Sequence, residues 1–411
     1  MSSKGFNTRL VHADRTLNQP EHGGVHTSTS QSVLFEYRDA QDLVDVFQGK
    51  KMGHVYSRSS SGSVAALQNV LNDIEGGVGA LCFSTGMAAI ASALFALLKA
   101  GDHIVVSQYL FGNTRSFMAT LEDWGIAVSY VDVTDVDNVK AACQPNTKLI
   151  FCETIANPGT QVSDCAAIGE FCAEQQLLFV LDTTMTPAFI FDAKSVAASM
   201  VVSSLTKYVG GHGNVLGGVI IDMGTYDWQQ FGNIKSIYQV ADTQQWGLTQ
   251  IKKKGLRDIG ATLAPESASR LAIGLESLAM RMTKACENAL QLAQWLNQQT
   301  GIARVLYPGL SEHPQHERSG ALFSAHGAIF SFELNDDIDP IAFLNRLSLV
   351  LSATHLGDTR TLALPVASTI FFENGAEARA QMGITDGLIR VSVGIEDVDD
   401  VIADFQHALS A

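Results

Sequence analysis

The stretch LLFVLDTTMTP, residues 177–187, is an apolar run that ends abruptly in Asp182. Unbroken apolar runs of this kind are typical of strands that are buried on both faces, as in the parallel sheets of α/β proteins. A carboxylate is costly to bury unless a cation or a donor meets it, so Asp182 is expected to have such a partner at the end of its strand. The stretch therefore predicts both a fold class and one residue of a functional site.

Similar β-rich runs recur on both sides of this stretch, and the segments 86–100 and 164–176 between them are long enough for helices. The runs are ALCFST (80–85), HIVVS (103–107), AVSYVDV (127–133), KLIFCETI (148–155), MVVSSLT (200–206) and GGVIID (217–222). Strands that alternate with helices predict an α/β fold with a mostly parallel sheet flanked by helices. In such sheets ligands bind beyond the carboxyl ends of the strands.

The chain divides into three predicted segments. Residues 61–255 form the large domain, and residues 256–411 mix helical and strand patterns as a smaller C-terminal α+β domain. Residues 1–60 are rich in Ser, Thr, His and Gly and lack apolar periodicity, so they are expected to form an arm that contacts a neighbouring subunit.

Composition argues against several classes of partner. The formal charge of -15 would repel nucleic acid and anionic membrane surfaces. The longest apolar stretch, 86–101, is shorter than the ~20 residues of a membrane span, and the N-terminus lacks the apolar core of a secretory signal, so a cytoplasmic protein is expected. Six cysteines without a C-x-x-C pair favour reduced, buried thiols, and no metal site is expected.

Polar residues that could hold an anion gather at the predicted strand ends. Ser204 and Thr206 alternate along the same strand, so they are expected to point the same way and grip an anion, while Lys207 turns away from them. The run STGMAAI (84–90) opens a predicted helix, whose free N–H groups at Gly86 and Met87 favour a phosphate.

A phosphate grip, a buried carboxylate and a lysine amine are together what pyridoxal phosphate requires. Taken singly, each has an ordinary explanation: a loop lysine is usually solvated, a strand-end aspartate often caps a helix, and Ser-Thr-Gly is a common turn. Their occurrence in this order, on successive strands, favours the cofactor.

Over nearly its whole length the sequence resembles the Cys/Met-metabolism family of pyridoxal-phosphate enzymes, which includes cystathionine γ-synthase, cystathionine γ- and β-lyases, methionine γ-lyase and O-acylhomoserine sulfhydrylases. The motifs that carry the resemblance are VYSRSSSGS (55–63), STGMAAI (84–90), LFGNTRSF (110–117), ETIANP (153–158), LDTTMTP (181–187), SSLTKYVGGHGN (203–214), LGDTRTL (356–362) and LIRVSVGIEDVDD (388–400). The resemblance implies fold type I of the pyridoxal-phosphate-dependent transferases.

The resemblance also implies roles for individual residues. Lys207 would form the Schiff base with the cofactor, and Asp182 would pair with the pyridine nitrogen. The phosphate would be bound by Gly86, Met87, Ser204 and Thr206 of the same chain and by Tyr56 and Arg58 of a neighbouring subunit. A site shared in this way implies a homodimer and, by family habit, a homotetramer.

The substrate side of the site is implied in the same way. Arg390 would clamp the substrate carboxylate, a task suited to a two-pronged cation. Asn157 and His355 would also bind substrate, and His355 stands where serine or asparagine is common in the family. Phe111 and Lys207 are the expected catalytic positions. Phe111 replaces the tyrosine that, in the family, usually stacks on the cofactor and acts near the leaving group. Stacking is retained, but that proton donor is lost.

Further departures bear on the choice of reaction. Asn113 and Arg257 stand where methionine γ-lyases tend to have cysteine and lysine, whereas residues 255–268 and 356–362 resemble O-acetylhomoserine sulfhydrylases. The expected function is elimination or replacement at the γ-carbon of a homoserine- or methionine-like amino acid, in transsulfuration or methionine biosynthesis. The alternatives are a γ-lyase for a non-sulfur leaving group such as that of canavanine, a cystathionine β-lyase, and a non-catalytic relative that binds the cofactor.

Overall fold

The computed structural model describes residues 4–410, and its larger sheet contains all seven predicted strand runs. The strands, in chain order, are β1 Gly79–Phe83, β2 His103–Ser107, β3 Ala127–Val131, β4 Thr147–Glu153, β5 Leu178–Asp182, β6 Met200–Ser203 and β7 Gly218–Asp222. Their order across the sheet is β1-β7-β6-β5-β4-β2-β3, and β7 alone runs opposite to the other six strands. The prediction of a mostly parallel sheet is confirmed.

Helices cover both faces of this sheet, which explains the unbroken apolar strands. Along β4, Leu149 and Phe151 pack into one hydrophobic cluster while Ile150 and Cys152 pack into the cluster on the opposite face. The helices in this part of the chain are α3 Gly62–Glu75, α4 Gly86–Leu97, α5 Gly112–Asp123, α6 Val136–Ala142, α7 Cys165–Gln175 and α8 Trp246–Gln250. A π-helical segment, Ile251–Arg257, continues from α8.

A second, smaller sheet lies in the C-terminal part of the chain, as predicted. Its strands are β8 Ile302–Leu306, β9 Ile329–Leu334, β10 Leu351–Ser352, β11 Leu362–Pro365 and β12 Leu388–Ser392, in the order β10-β11-β12-β9-β8. The accompanying helices are α9 Pro265–Glu276, α10 Leu278–Leu296, α11 His316–Leu322, α12 Pro340–Arg346, α13 Gly375–Gln381 and α14 Val398–Ser410. The exact domain boundaries at 60 and 255 stay a prediction.

The N-terminal segment is more ordered than its composition indicates. It contains α1 Phe6–Ala13 and α2 Ala40–Phe47, and the buried side chain of Leu10 packs into the core of the larger sheet. Other apolar side chains of the segment lie at the surface: Leu34 is 71% exposed and Met52 is 95% exposed. The segment thus packs partly on its own chain and leaves apolar surface uncovered.

The six cysteines form no disulfide, and five of them are buried. Among residues 4–410 no helix is both long and apolar enough to span a bilayer. The same residues contain no group of three or more His, Cys, Asp or Glu side chains arranged to hold a metal ion.

Candidate active site

A cavity of about 290 Å³ lies at the carboxyl ends of β4, β5 and β6 and is also lined by Arg390 of β12 in the second sheet. Among the residues that line it are nearly all those predicted for the site on this chain: Gly86, Met87, Phe111, Asn157, Asp182, Ser204, Thr206, Lys207 and Arg390. His355 joins them through a contact with Lys207. The fold therefore brings together residues that are far apart in the sequence.

Lys207 lies in a tight turn after β6. Its carbonyl accepts a hydrogen bond from the N–H of Gly211 (2.8 Å), and its Nζ lies 3.5 Å from Nδ1 of His355. Burial, and next the positive charge of Arg390, lower the pKa of the Lys207 amine to about 8. The amine is therefore far easier to deprotonate than a solvated lysine, whose pKa is ~10.4.

Two carboxyl groups stand side by side at the ends of adjacent strands, where Glu153 of β4 pairs with Asp182 of β5. Burial raises the pKa of Asp182, although hydrogen bonds from Thr184 oppose the shift. Burial and the negative charge of Asp182 raise the pKa of Glu153 to about 8. Two buried acids side by side make their surroundings in the cavity favourable for a protonated nitrogen.

A second part of the cavity lining suits an anion. Helix α4 begins there, and the hydroxyl of Thr85 caps it by accepting from the N–H of Ala88 (2.9 Å). A Cβ at Gly86 would lie 2.8 Å from Cβ of Ser204, so only glycine lets the helix start this close to the end of β6. The first N–H groups of a helix lack internal partners and attract phosphate.

The alternation predicted for Ser204 and Thr206 is wrong, because β6 ends at Ser203 and both residues lie in the turn that follows. Both still line the cavity. The Thr206 hydroxyl donates to the carbonyl of Gly217 (3.2 Å) and accepts from its N–H (3.0 Å), so its proton is already committed to the backbone. Ser204 is thus the better placed of the two hydroxyls to donate to an anion.

Arg390 comes from the second sheet and is 1% exposed. Its Nη2 donates to the carbonyls of Thr354 (3.0 Å) and His355 (2.9 Å), and its Nη1 donates to Oδ1 of Asn157 (3.4 Å). Its Nε is buried with no partner among the described residues. Burial lowers the pKa of Arg390 to about 10, but the side chain remains cationic at neutral pH. A buried cation with an unused donor is suited to bind a carboxylate.

Phe111 stands at the start of α5, and its backbone N–H donates to Oε1 of Glu153 (2.9 Å). Tyr109, the nearest tyrosine in the sequence, donates its hydroxyl to Oδ2 of Asp132 (3.0 Å) and does not line the cavity. Tyr109 therefore does not replace the hydroxyl that Phe111 lacks.

Tyr56 and Arg58 do not line the cavity of their own chain. Tyr56 is 46% exposed, and the guanidinium of Arg58 lies over its ring at 5.5 Å from the centroid. Nη1 of Arg58 donates to the backbone carbonyl of Arg257 (2.6 Å). These two side chains form a partly exposed pair at the surface of this chain.

The sequence interpretation overlooked Thr184, which connects two parts of the site. Its N–H donates to Oδ1 of Asp182 (2.8 Å), and its hydroxyl oxygen accepts from the N–H of Ser204 (2.8 Å). The only signal in the sequence is its position two residues after Asp182, within a hydroxyl-rich run.

Comparison with known proteins identifies the family. The model of the family described as Cys/Met metabolism PLP-dependent enzyme matches residues 7–410. The chain belongs to this family. It is 34% identical to an O-acetyl-L-homoserine sulfhydrylase of Corynebacterium glutamicum (99% of this chain, 97% of the relative). It is also 34% identical to an L-methionine γ-lyase of Fusobacterium nucleatum (98% of each chain).

A solved structure from Campylobacter jejuni, of a protein given the name O-acetylhomoserine (thiol)-lyase, superimposes with a TM-score of 0.92. Its sequence is 28% identical to this chain, over 98% of this chain and 99% of the other, and it contains N'-pyridoxyl-lysine-5'-monophosphate. The chain therefore has fold type I of the pyridoxal-phosphate enzymes and is a member that depends on this cofactor.

The residues of this cavity fit the cofactor that the family requires. A lysine amine with a lowered pKa, a pair of buried carboxyl groups and a helix N-terminus line one cavity. These three features match, in turn, the aldehyde, the protonated ring nitrogen and the phosphate of pyridoxal phosphate.

Proposed function

We propose that this enzyme eliminates or replaces the substituent on the γ-carbon of a homoserine- or methionine-like amino acid. The observation that carries the proposal is the placement of Lys207 and Arg390 in one cavity, where a base and a carboxylate clamp can act on the same amino acid. The two relatives named above, a sulfhydrylase and a γ-lyase, support this reaction class.

We assign the cofactor-binding roles from the chemistry of the residues that line the cavity. Lys207 would hold the aldehyde, and Asp182 would keep the ring nitrogen protonated. The phosphate would be bound by Ser204 and the N–H groups of Gly86 and Met87, Thr206 would shape the turn, and Phe111 would stack on the ring. When bound, the cofactor supplies an electron sink for the substrate α-carbon.

Three side chains orient the substrate and one moves its protons. Arg390 binds the carboxylate, and Asn157 and His355 stand beside that contact. Once its amine is free, Lys207 removes the α-proton, because its lowered pKa leaves a substantial neutral fraction near pH 8.

Phe111 bears on the choice of leaving group. A phenyl ring donates no proton, so a group that leaves readily as an anion is favoured over one that needs protonation. Carboxylic acids have pKa values of ~4 and thiols of ~8.5, so a carboxylate leaves more readily than a thiolate. We therefore infer that an O-acylhomoserine is the preferred substrate, with a sulfur nucleophile as the partner in replacement.

We further infer a cytoplasmic homodimer with shared active sites, assembled into a homotetramer. The exposed Tyr56–Arg58 pair does not line the cavity of its own chain, which supports a role for it at the phosphate of a neighbouring subunit. The exposed Leu34 and Met52 in the same N-terminal segment provide apolar surface for that contact.

Two experiments test the proposal. Borohydride reduction followed by peptide mapping should place the pyridoxyl label on Lys207, and a label elsewhere would refute the assignment. Mass spectrometry of products from O-acetylhomoserine, methionine, cystathionine and canavanine, with and without sulfide, should show γ-chemistry fastest with O-acetylhomoserine. Pyruvate from cystathionine would instead indicate a β-lyase, and no turnover of any substrate would support the non-catalytic alternative.

A further inference from the structure

Arg281 is a buried cation that holds the backbone directly after Lys207. It lies near the start of α10 and is 8% exposed. Its Nη1 donates to the carbonyl of Tyr208 (2.7 Å), and its Nη2 donates to the carbonyl of Val209 (3.3 Å). These contacts join segments that are 72 or 73 positions apart, so only the folded chain brings the guanidinium to this turn.

Two further hydrogen bonds anchor the guanidinium, and all of its acceptors are uncharged oxygens. Nε donates to the hydroxyl of Ser277 (3.0 Å), and Nη2 also donates to the carbonyl of Gly274 in α9 (2.7 Å). Burial lowers the pKa of Arg281 to about 10, so the side chain is cationic at neutral pH. Because a charged donor forms stronger hydrogen bonds than a neutral one, the guanidinium holds these carbonyls firmly.

Two glycines let the guanidinium and α9 lie against the turn. A Cβ at Gly211, which has φ +73°, would overlap the guanidinium of Arg281. A Cβ at Gly274 would lie 2.5 Å from the carbonyl oxygen of Gly210. A larger side chain at either glycine would therefore displace the turn or the groups that hold it.

The carbonyls of Tyr208 and Val209 have no other hydrogen-bond partner among residues 4–410. Both residues are buried, and a buried carbonyl without a partner is costly, so the turn would change its conformation if Arg281 were lost. Because Lys207 immediately precedes these peptide units, such a change would move the start of its side chain and hence its amine.

We propose that Arg281 is a positioning residue of the reaction: by binding the two carbonyls that follow Lys207, it holds the backbone of that residue so that the amine reaches the substrate α-carbon. Arg281 does not line the cavity and acts only through this backbone. The inference deepens the proposed function and rests on it for the role of Lys207 as the base. A purely structural Arg281 would affect stability alone, whereas a positioning residue also sets the rate of α-proton removal.

Three substitutions and one matched control separate these two roles. Arg281→Met removes every donor, Arg281→Lys keeps the charge but replaces the planar fork with one ammonium, and Ser277→Ala removes only the acceptor of Nε. The control is Gln250→Met, because Gln250 is 1% exposed and donates to two backbone carbonyls, those of Ala96 (2.7 Å) and Asn233 (3.0 Å), without lining the cavity. Urea unfolding reports the stability of each variant, and cofactor absorbance reports the concentration of loaded enzyme.

The readout is exchange of the α-proton of 2-aminobutanoate in D₂O, followed by NMR and divided by the concentration of loaded enzyme. This amino acid has no γ-leaving group, so exchange reports removal of the α-proton alone. Arg281→Met should lower the exchange rate about tenfold with KM within about threefold, since a misplaced base costs rate more than binding. Ser277→Ala should lower it by about threefold, and Arg281→Lys should recover part of the loss. Gln250→Met should lose stability without a change in exchange rate.

The proposal is overturned if Arg281→Met exchanges the α-proton as fast as the unsubstituted enzyme, or if Gln250→Met loses exchange rate to the same extent. If Arg281→Met does not fold, unchanged exchange in both Ser277→Ala and Arg281→Lys overturns it instead. Failure of the proposed function gives a different result. An enzyme that exchanges the α-proton but removes no γ-substituent would contradict the proposed function, and the exchange rates of the variants would still decide the role of Arg281. No exchange by the unsubstituted enzyme would contradict both.

Discussion

Replacing Phe111 with tyrosine should restore a proton donor in the cavity without disturbing the local backbone. The contact that holds this residue is its backbone N–H to Oε1 of Glu153 (2.9 Å), which any side chain at the position can make. The ring already lines the cavity with Lys207, so a hydroxyl added at its end would project into the space where substrate binds.

The expected magnitude depends on the leaving group. A positioned general acid contributes ~10²–10⁴ in rate. We expect the lower limit for methionine, about a hundredfold in kcat or about 2.7 kcal/mol, because the cavity is shaped around phenylalanine. O-Acetylhomoserine, which releases a stable carboxylate, should change by less than about threefold.

The assay is release of 2-oxobutanoate from each substrate, with Tyr109→Phe as the matched control. That substitution removes a hydroxyl bonded to Asp132 outside the cavity and should alter neither rate. Equal acceleration of both substrates by Phe111→Tyr, or no change in either, would contradict the inference that the missing hydroxyl determines the leaving group.

Other properties of the site lead to three more predictions. Because Lys207 must be neutral to act as a base and its pKa is about 8, kcat should fall about tenfold per pH unit below that value, and a flat pH–rate profile from pH 6 to 8 would exclude this role. Native Glu153 keeps its proton up to about pH 8 whereas the unfolded chain releases it above ~4.3, so its contribution to stability is lost as pH rises through this window. Glu153→Gln should therefore stabilise the cofactor-free protein at pH 8 relative to pH 5, which urea unfolding at the two pH values would measure. Arg58→Ala and Lys207→Ala proteins should each be inactive alone but regain activity when their subunits are mixed and exchanged, and no recovery in confirmed hybrids would argue against a shared site.

The architecture was predictable where local pattern and burial agree. Each apolar run between 80 and 223 became a strand because burial on both faces of the sheet requires apolar side chains at consecutive positions. The residues at the strand ends were predictable as a group because parallel strands present their carboxyl ends at one edge. The short helix α2 was not predicted, since eight amphipathic residues with an Asp39 cap are hard to recognise within a polar segment.

The orientation of individual side chains was harder to predict from the sequence. The alternation expected for Ser204 and Thr206 failed because β6 ends at Ser203, before both residues, and local pattern locates the end of a strand poorly. The sequence contains Phe111 and Tyr109 two positions apart but does not show that the tyrosine faces Asp132.

By itself, the amino-acid sequence determined the α/β architecture and the dependence on pyridoxal phosphate, and it predicted Lys207 as the residue that binds the cofactor, because periodicity and short motifs are local properties of the chain. Only the tertiary structure decided that Glu153 lies beside Asp182 and that His355 lies between Lys207 and Arg390. Those relations join residues as many as 148 positions apart, and the shifted pKa values of Lys207 and Glu153 arise mainly from burial in the folded chain, which no local pattern encodes.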